Sequence, residues 1–159
     1  MNAPLPGYSP QDVADRLAIH DVMRTYAWAI DLQDWDLLDT VFAPDAFLDY
    51  SSNPGGTKGP YPQTKAWLMS VLPYFPVTQH LMSNTLIELL DNGRATAKTM
   101  VHNPQGARTR KGPVHLFHIG ARYDDELVRT DAGWRITRRV ETTLWFEGSL
   151  PSELVGPDD

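Results

Sequence analysis

The chain has no cysteine among its 159 residues. That absence excludes disulfides, thiolate metal sites and cysteine nucleophiles together, and it fits a reducing compartment. No apolar run approaches the roughly 20 residues that a membrane-spanning helix needs. The opening Met1-Asn2-Ala3-Pro4-Leu5-Pro6-Gly7 lacks the basic start and apolar centre of a signal peptide, so a cytoplasmic protein is expected. Positive charge is also scarce: 14 Lys and Arg against 20 Asp and Glu give a formal net charge of −6. That balance argues against nucleic-acid and anionic-membrane partners. The one basic cluster, Arg108, Arg110 and Lys111, reads as a solvated loop. A phosphate-cradling glycine loop, a dinucleotide fingerprint and a nucleophile elbow are all missing.

What is present suits a single globular domain, with 42% apolar and 21% charged residues. Residues 1–8 read as a flexible arm, 9–150 as the domain and 151–159 as a loose tail. Ser9-Pro10-Gln11-Asp12 is a helix start: a serine cap, proline at the first position and an acid that complements the dipole. Leu17, Ile19, Val22, Met23, Tyr26, Ala27 and Ile30 then recur mostly every three or four residues, marking one buried face. Asp34 can cap a second, shorter helix with Leu37, Leu38, Val41 and Phe42 as its stripe, stopped by Pro44. A short strand is expected over 46–51 and a third helix over 62–72. Beyond that the period becomes two, giving strands near 79–90, 94–103, 114–130 and 134–147. Asp91-Asn92-Gly93 and Asp131-Ala132-Gly133 supply hairpin turns. Helices first and a run of strands after predict an α+β fold, a curved antiparallel sheet over three N-terminal helices.

Two stretches offer chemistry. Asp31 lies where the first helix ends, and the negative end of the dipole, like apolar neighbours, would raise its pKa. It is either a partner for a base or a cap for the following turn. His80 opens an alternating segment in which His80, Met82, Asn84 and Leu86 share one face. It is either a general base or a hydrogen-bonded core histidine. The other histidines do not suggest a metal. His115 and His118 fall on opposite faces of a strand, His20 is flanked by Arg16 and Arg24, and His102 has no evident companion ligand.

Over residues 12–147 the chain resembles the SnoaL-like branch of the NTF2-like superfamily. The resemblance is carried by Tyr26-Ala27-Trp28-Ala29, Asp31, Asp34-Trp35-Asp36, Ala43-Pro44, Asp49-Tyr50 and His80. It extends to scytalone dehydratase, hexachlorocyclohexane dehydrochlorinase and the bile-acid dehydratase. The resemblance implies a cone-shaped fold around a deep pocket and a cofactor-independent elimination from a cyclic or aromatic small molecule. It casts His80 as the base and Asp31 as its orienting partner. Tyr26, Tyr50 and Arg139 would stabilise the developing anion or assist the leaving group. Trp28, Met82, Asn84, Gln105, Thr143 and Trp145 are the expected substrate contacts. No cofactor is implied, and a homo-oligomer is expected, a trimer in preference to a dimer. The same fold hosts isomerases, polyketide-type cyclases, ligand-binding proteins and the non-catalytic β-type subunits of dioxygenases, so those remain alternatives.

Overall fold

A computed structural model describes residues 7–110, 113–151 and 154–156. Most of the expected arm, Lys111 of the basic cluster and part of the expected tail lie outside the described residues. The first helix, α1 (Pro10–Leu32), opens with a reciprocal capping box. The Asp12 N–H donates to the Ser9 hydroxyl at 3.1 Å and the Ser9 N–H to the Asp12 carboxylate at 2.9 Å. Its buried face carries Ile19, Met23, Tyr26, Ala29 and Ile30. Gln33 ends the helix in the left-handed region at φ 54, its N–H reaching back to the Ala29 and Ile30 carbonyls. Asp31 is thereby fixed one residue before the end of α1.

Asp34 caps α2 (Trp35–Asp39), accepting from the Leu37 N–H at 3.0 Å. This helix is shorter than the apolar stripe predicts: Phe42 already belongs to β1 (Phe42–Asp49), so Val41 and Phe42 join the sheet side of the core. β2 (Lys58–Pro60) pairs with β1 and leads into α3 (Tyr61–Val71), followed by a 3-10 turn, Leu72–Tyr74. The remaining strands are β3 (Val77–Thr78), β4 (Leu81–Leu90), β5 (Arg94–Ala107), β6 (His115–Thr130) and β7 (Gly133–Glu147). Asn92 and Gly93 both take positive φ, 60° and 65°, which is the twist a tight β4–β5 hairpin requires.

The sheet runs β2-β1-β7-β6-β5-β3, with β4 also on β5. It is mixed where an antiparallel sheet was expected, because β1 lies parallel to β7. A parallel pair needs a long crossover, and α3 and β2 to β6 all lie between these two strands in the chain. The sheet curls over α1 and α3, giving the α+β architecture predicted from the order of the elements.

Charge is buried in this core. Arg139 is fully buried and donates through Nε and Nη2 to Asp125 on the neighbouring strand, at 2.7 and 2.8 Å. Its guanidinium stands 4.0 Å from the Tyr26 ring centre and 4.2 Å from that of Tyr123. Burial pushes its pKa down, but the Asp125 carboxylate and hydrogen bonds hold it well above the ordinary value. A second tie joins α1 to the β6–β7 hairpin, where buried Asp15 accepts from the Trp134 indole at 3.1 Å and pairs with Arg129. Removing one member of a buried pair strands the other charge, at a cost of about 3–5 kcal/mol. Arg139→Leu should therefore lower the calorimetric Tm by roughly 6–20 °C, and Asp125→Leu/Arg139→Leu should recover part of that loss.

Candidate active site

The strand predicted to start at residue 79 is interrupted where His80 sits. β3 pairs with 105–106 of β5, the Gln79 N–H bonds to the Pro104 carbonyl at 3.1 Å, and pairing resumes at Leu81. In that break the His80 N–H donates to Asp31 Oδ2 at 2.8 Å. His80 Nδ1 lies 2.6 Å from Asp31 Oδ1, which also accepts from the Thr78 hydroxyl at 3.0 Å. Asn103 on β5 brings its amide nitrogen 3.1 Å from His80 Nε2. An amide N–H at Nε2 makes that nitrogen the acceptor, which leaves the ring proton on Nδ1, facing the carboxylate.

The Asp31 carboxyl does not have the raised pKa expected from a helix C-terminus. Burial pushes it up, but the hydrogen bond and charge of His80, the His80 backbone N–H and Thr78 together pull it below its ordinary value. It is held as a carboxylate.

These groups open onto a cavity of about 440 Å³ between the concave face of the sheet, α1 and α3. Ile30, Trp67, Leu68, Phe117, Ile119 and Phe146 supply apolar wall. His80, Asn103, Gln105, Tyr26, Tyr50, Tyr123, Asn53 and Glu141 supply the polar lining. The Tyr26 and Tyr50 hydroxyls are 3.2 Å apart, and the Tyr26 ring meets His80 edge-on at 5.9 Å. Burial pushes the phenols of Tyr26, Tyr50 and Tyr123 well above their ordinary pKa, so they remain protonated donors. Leu150 and, from the segment read as a loose tail, Leu154 also line the cavity.

The structure brings His80, Asp31, Tyr26, Tyr50 and Gln105 to this place, and it puts other expected residues elsewhere. Arg139 does not reach the cavity surface: it lies fully buried on Asp125, beneath Tyr26 and Tyr123. Trp28 points away from the core and is 63% exposed, because Tyr26, Ala27, Ala29 and Ile30 take up the inward arc of α1. Asn84 is exposed at a bulge where its φ of 50° breaks the two-residue alternation, and Met82 packs on the core beside the cavity without lining it. Trp145 lies outside for a similar reason. The β6–β7 register slips between Gly120↔Trp145 and Ala121↔Thr143, so Glu141 and Phe146 line the cavity and Trp145 lies against His102. Thr143 serves the loop 51–56: its hydroxyl donates to Asn53 Oδ1 at 2.9 Å, and its N–H donates to the Ser52 hydroxyl at 3.0 Å. His102, read as lacking a companion, lies 3.1 Å from His118, ring on ring. Among the described residues no group of three or more His, Cys, Asp or Glu is placed to hold a metal.

Sequence reasoning missed Asn53, Asn103, Tyr123 and Glu141 as polar lining. For Glu141 a signal existed: it stands two residues after Arg139, on the same side of β7. A lone acid in a strand is ordinarily solvated, so the pattern did not separate it from the surface charges.

The SnoaL-like domain family matches residues 11–140, and the chain belongs to that family. An uncharacterized protein of Mycobacterium tuberculosis is 42% identical over 134 residues, covering 84% of this chain and 88% of that one. Among solved structures, a scytalone dehydratase-like protein from Novosphingobium aromaticivorans superposes with a TM-score of 0.75 at 22% identity, covering 93% of this chain and 96% of that one. A hexachlorocyclohexane dehydrochlorinase from Novosphingobium barchaimii gives 0.72 at 19% identity, covering 91% and 97%. At these identities the two structures share the fold. No helix among the described residues is long and apolar enough to cross a membrane.

The lowered pKa of Asp31 has a consequence for stability. A carboxylate whose folded pKa lies below its unfolded value of 3.8 stabilises the fold above that value, and the stabilisation is lost as pH falls through the folded pKa. The Tm difference between the wild type and Asp31→Asn should be full above about pH 5 and shrink on further acidification. Thermal scans across that range check it; a gap that does not change with pH contradicts it.

Proposed function

We propose that this chain is a cofactor-independent lyase of dehydratase type, acting on a cyclic or aromatic small molecule. Membership of the SnoaL-like family, with a dehydrochlorinase and a scytalone dehydratase-like protein sharing its fold, supports the broader lyase or isomerase class. The observation that carries the narrower reading is the 2.6 Å contact between Asp31 and His80 Nδ1 in a ring that lines a largely apolar cavity.

In this reading His80 Nε2 removes a proton from the carbon beside a carbonyl, and the Asp31 carboxylate stabilises the imidazolium that forms. In the resting state the Asn103 amide N–H rests on Nε2. Its Oδ1, buried and without a hydrogen-bond partner among the described residues, can accept the new Nε2–H once the amide turns. Tyr26 and Tyr50, both protonated, donate to the carbonyl oxygen as it gains negative charge. Arg139 acts without touching substrate: its positive charge beneath Tyr26 and Tyr123 favours anionic character on that side of the cavity.

The apolar walls favour an uncharged substrate with its oxygens at one end. A suitable probe is 3-hydroxy-1-tetralone, a bicyclic β-hydroxyketone that loses water to give 1-naphthol, followed by fluorescence. His80→Ala and Asp31→Asn should keep the fold by circular dichroism and lose roughly 10²–10⁴-fold in rate. Near wild-type rates in both variants would refute the dyad. Mass spectrometry separates elimination from isomerisation, since only elimination lowers the mass of the organic product.

The outer face of the sheet favours self-association. Leu81, His102, Gly120 and Trp145 stand in register across four strands, and both Leu81 and Trp145 are exposed. We propose a homo-oligomer, a trimer in preference to a dimer, and sedimentation equilibrium should give a mass above the 17.9 kDa of one chain.

A further inference from the structure

Glu141 is a buried acid that the dyad does not use. It stands on β7 opposite Tyr123 of β6, is 7% exposed and lines the same cavity as His80. Its side chain is held from one side. Asn53 Nδ2 donates to Oε1 at 2.8 Å, and the loop carrying Asn53 is itself pinned to β7. The Ser52 hydroxyl donates to the Glu141 carbonyl at 3.0 Å, and Asn53 Oδ1 accepts from Thr143 at 2.9 Å. Gly56 packs this loop so closely that an added Cβ would fall 2.0 Å from the Tyr50 carbonyl oxygen. The other carboxyl oxygen, Oε2, makes no hydrogen bond among the described residues.

An ionised carboxylate in an apolar cavity needs several donors to replace its lost hydration, and Glu141 has one. The Arg139 guanidinium is committed to Asp125. The charged and titratable groups around Glu141 are His80, Arg139, Tyr50 and Tyr123. Burial raises its pKa despite the opposing effects of Asn53, His80 and Arg139. The cavity thus has a carboxylate-backed imidazole on one wall and a carboxyl that resists ionisation on another. A hydrogen-bonded imidazole and a buried carboxyl short of donors within one cavity are the two partners that a general base and a general acid require.

Resting on the dyad reading above, we propose that Glu141 is the proton donor of the site, giving its proton to the hydroxyl oxygen of a neutral substrate as that oxygen leaves. His80 Nε2 takes the proton from carbon, the carbon–carbon double bond forms, and the carbon–oxygen bond breaks. The departing oxygen takes the Glu141 proton and leaves as water. The imidazolium proton then returns to the Glu141 carboxylate through solvent, restoring both groups. Asn53 is the positioning residue that aims the carboxyl.

The test combines spectroscopy and kinetics on the full chain. Infrared difference spectra between the wild type and Glu141→Gln at neutral pH should show a protonated-carboxyl stretch in the wild type that is lost in the variant. Adding 2-tetralol, which offers a hydroxyl but lacks the activating carbonyl, should shift that band. With 3-hydroxy-1-tetralone, Glu141→Gln should lower kcat at least 100-fold with little change in KM, and abolish the alkaline limb of the wild-type kcat profile. Asn53→Ala should show a smaller kcat loss with that limb retained. A missing band, a band indifferent to 2-tetralol, or a Glu141→Gln enzyme with wild-type kcat and pH profile overturns the assignment. A band that shifts with 2-tetralol in a protein that eliminates nothing supports Glu141 as donor to a bound hydroxyl and refutes the dyad reading instead.

Discussion

The Asp31 carboxylate joins the two layers of this protein at the point where its chemistry is proposed to occur. It projects from the last turn of α1 and accepts three hydrogen bonds, from the Thr78 hydroxyl, the His80 backbone N–H and the His80 ring. The backbone bond captures an N–H that the β3–β4 break has removed from the sheet ladder. The ring bond then fixes both the rotation of the imidazole and its tautomer. A half-buried carboxylate is costly unless several donors meet it, and here the donors all come from the segment it must orient. Stability and site geometry therefore depend on the same oxygens.

Behind this contact lies a second buried charge of different character. Arg139 and Asp125 are bidentate and fully enclosed, with the guanidinium beside two phenol rings that line the cavity. A buried pair of this kind is weak evidence of net stability, since apolar replacements of similar volume often do as well. The pair places the guanidinium beneath Tyr26 and Tyr123, on the side of the cavity where the proposed enolate oxygen would gather charge. The cavity accordingly has an anion at Asp31, a cation under its phenols and a carboxyl at Glu141 that burial keeps from ionising readily.

The outline of the fold was legible because it depends on local chemistry. The Ser9–Asp12 capping box, the apolar spacing of α1, the Asp34 cap and the Asn92-Gly93 turn each act over a few residues, and each stands where the pattern predicts. Errors arose where parity along a strand was assumed to persist. The bulge at Asn84 and the register slip beyond Gly120 each insert one residue, and one residue exchanges the two faces of a strand. Asn84, expected inside by alternation from His80, accordingly lies outside, and beyond the slip Trp145 lies outside while Phe146 lines the cavity. Asn103 and Glu141 escaped notice because a polar residue in a strand is most often solvated, and only the curl of the sheet turns these positions inward.

The sequence by itself determined the three helices, the long hairpin strands and the α+β class, since caps, periodicity and turn residues act through neighbours in the chain. It also supplied Asp31 and His80 as a carboxylate and an imidazole worth pairing. Only the tertiary structure decided that Asp31, 49 residues before His80, is its hydrogen-bond partner. It also decided that Arg139 is committed to Asp125 and that Glu141 lines the same cavity as His80. Those outcomes depend on which strands become neighbours and on how far the sheet curls, and both are settled by long-range packing that no short stretch of the chain encodes.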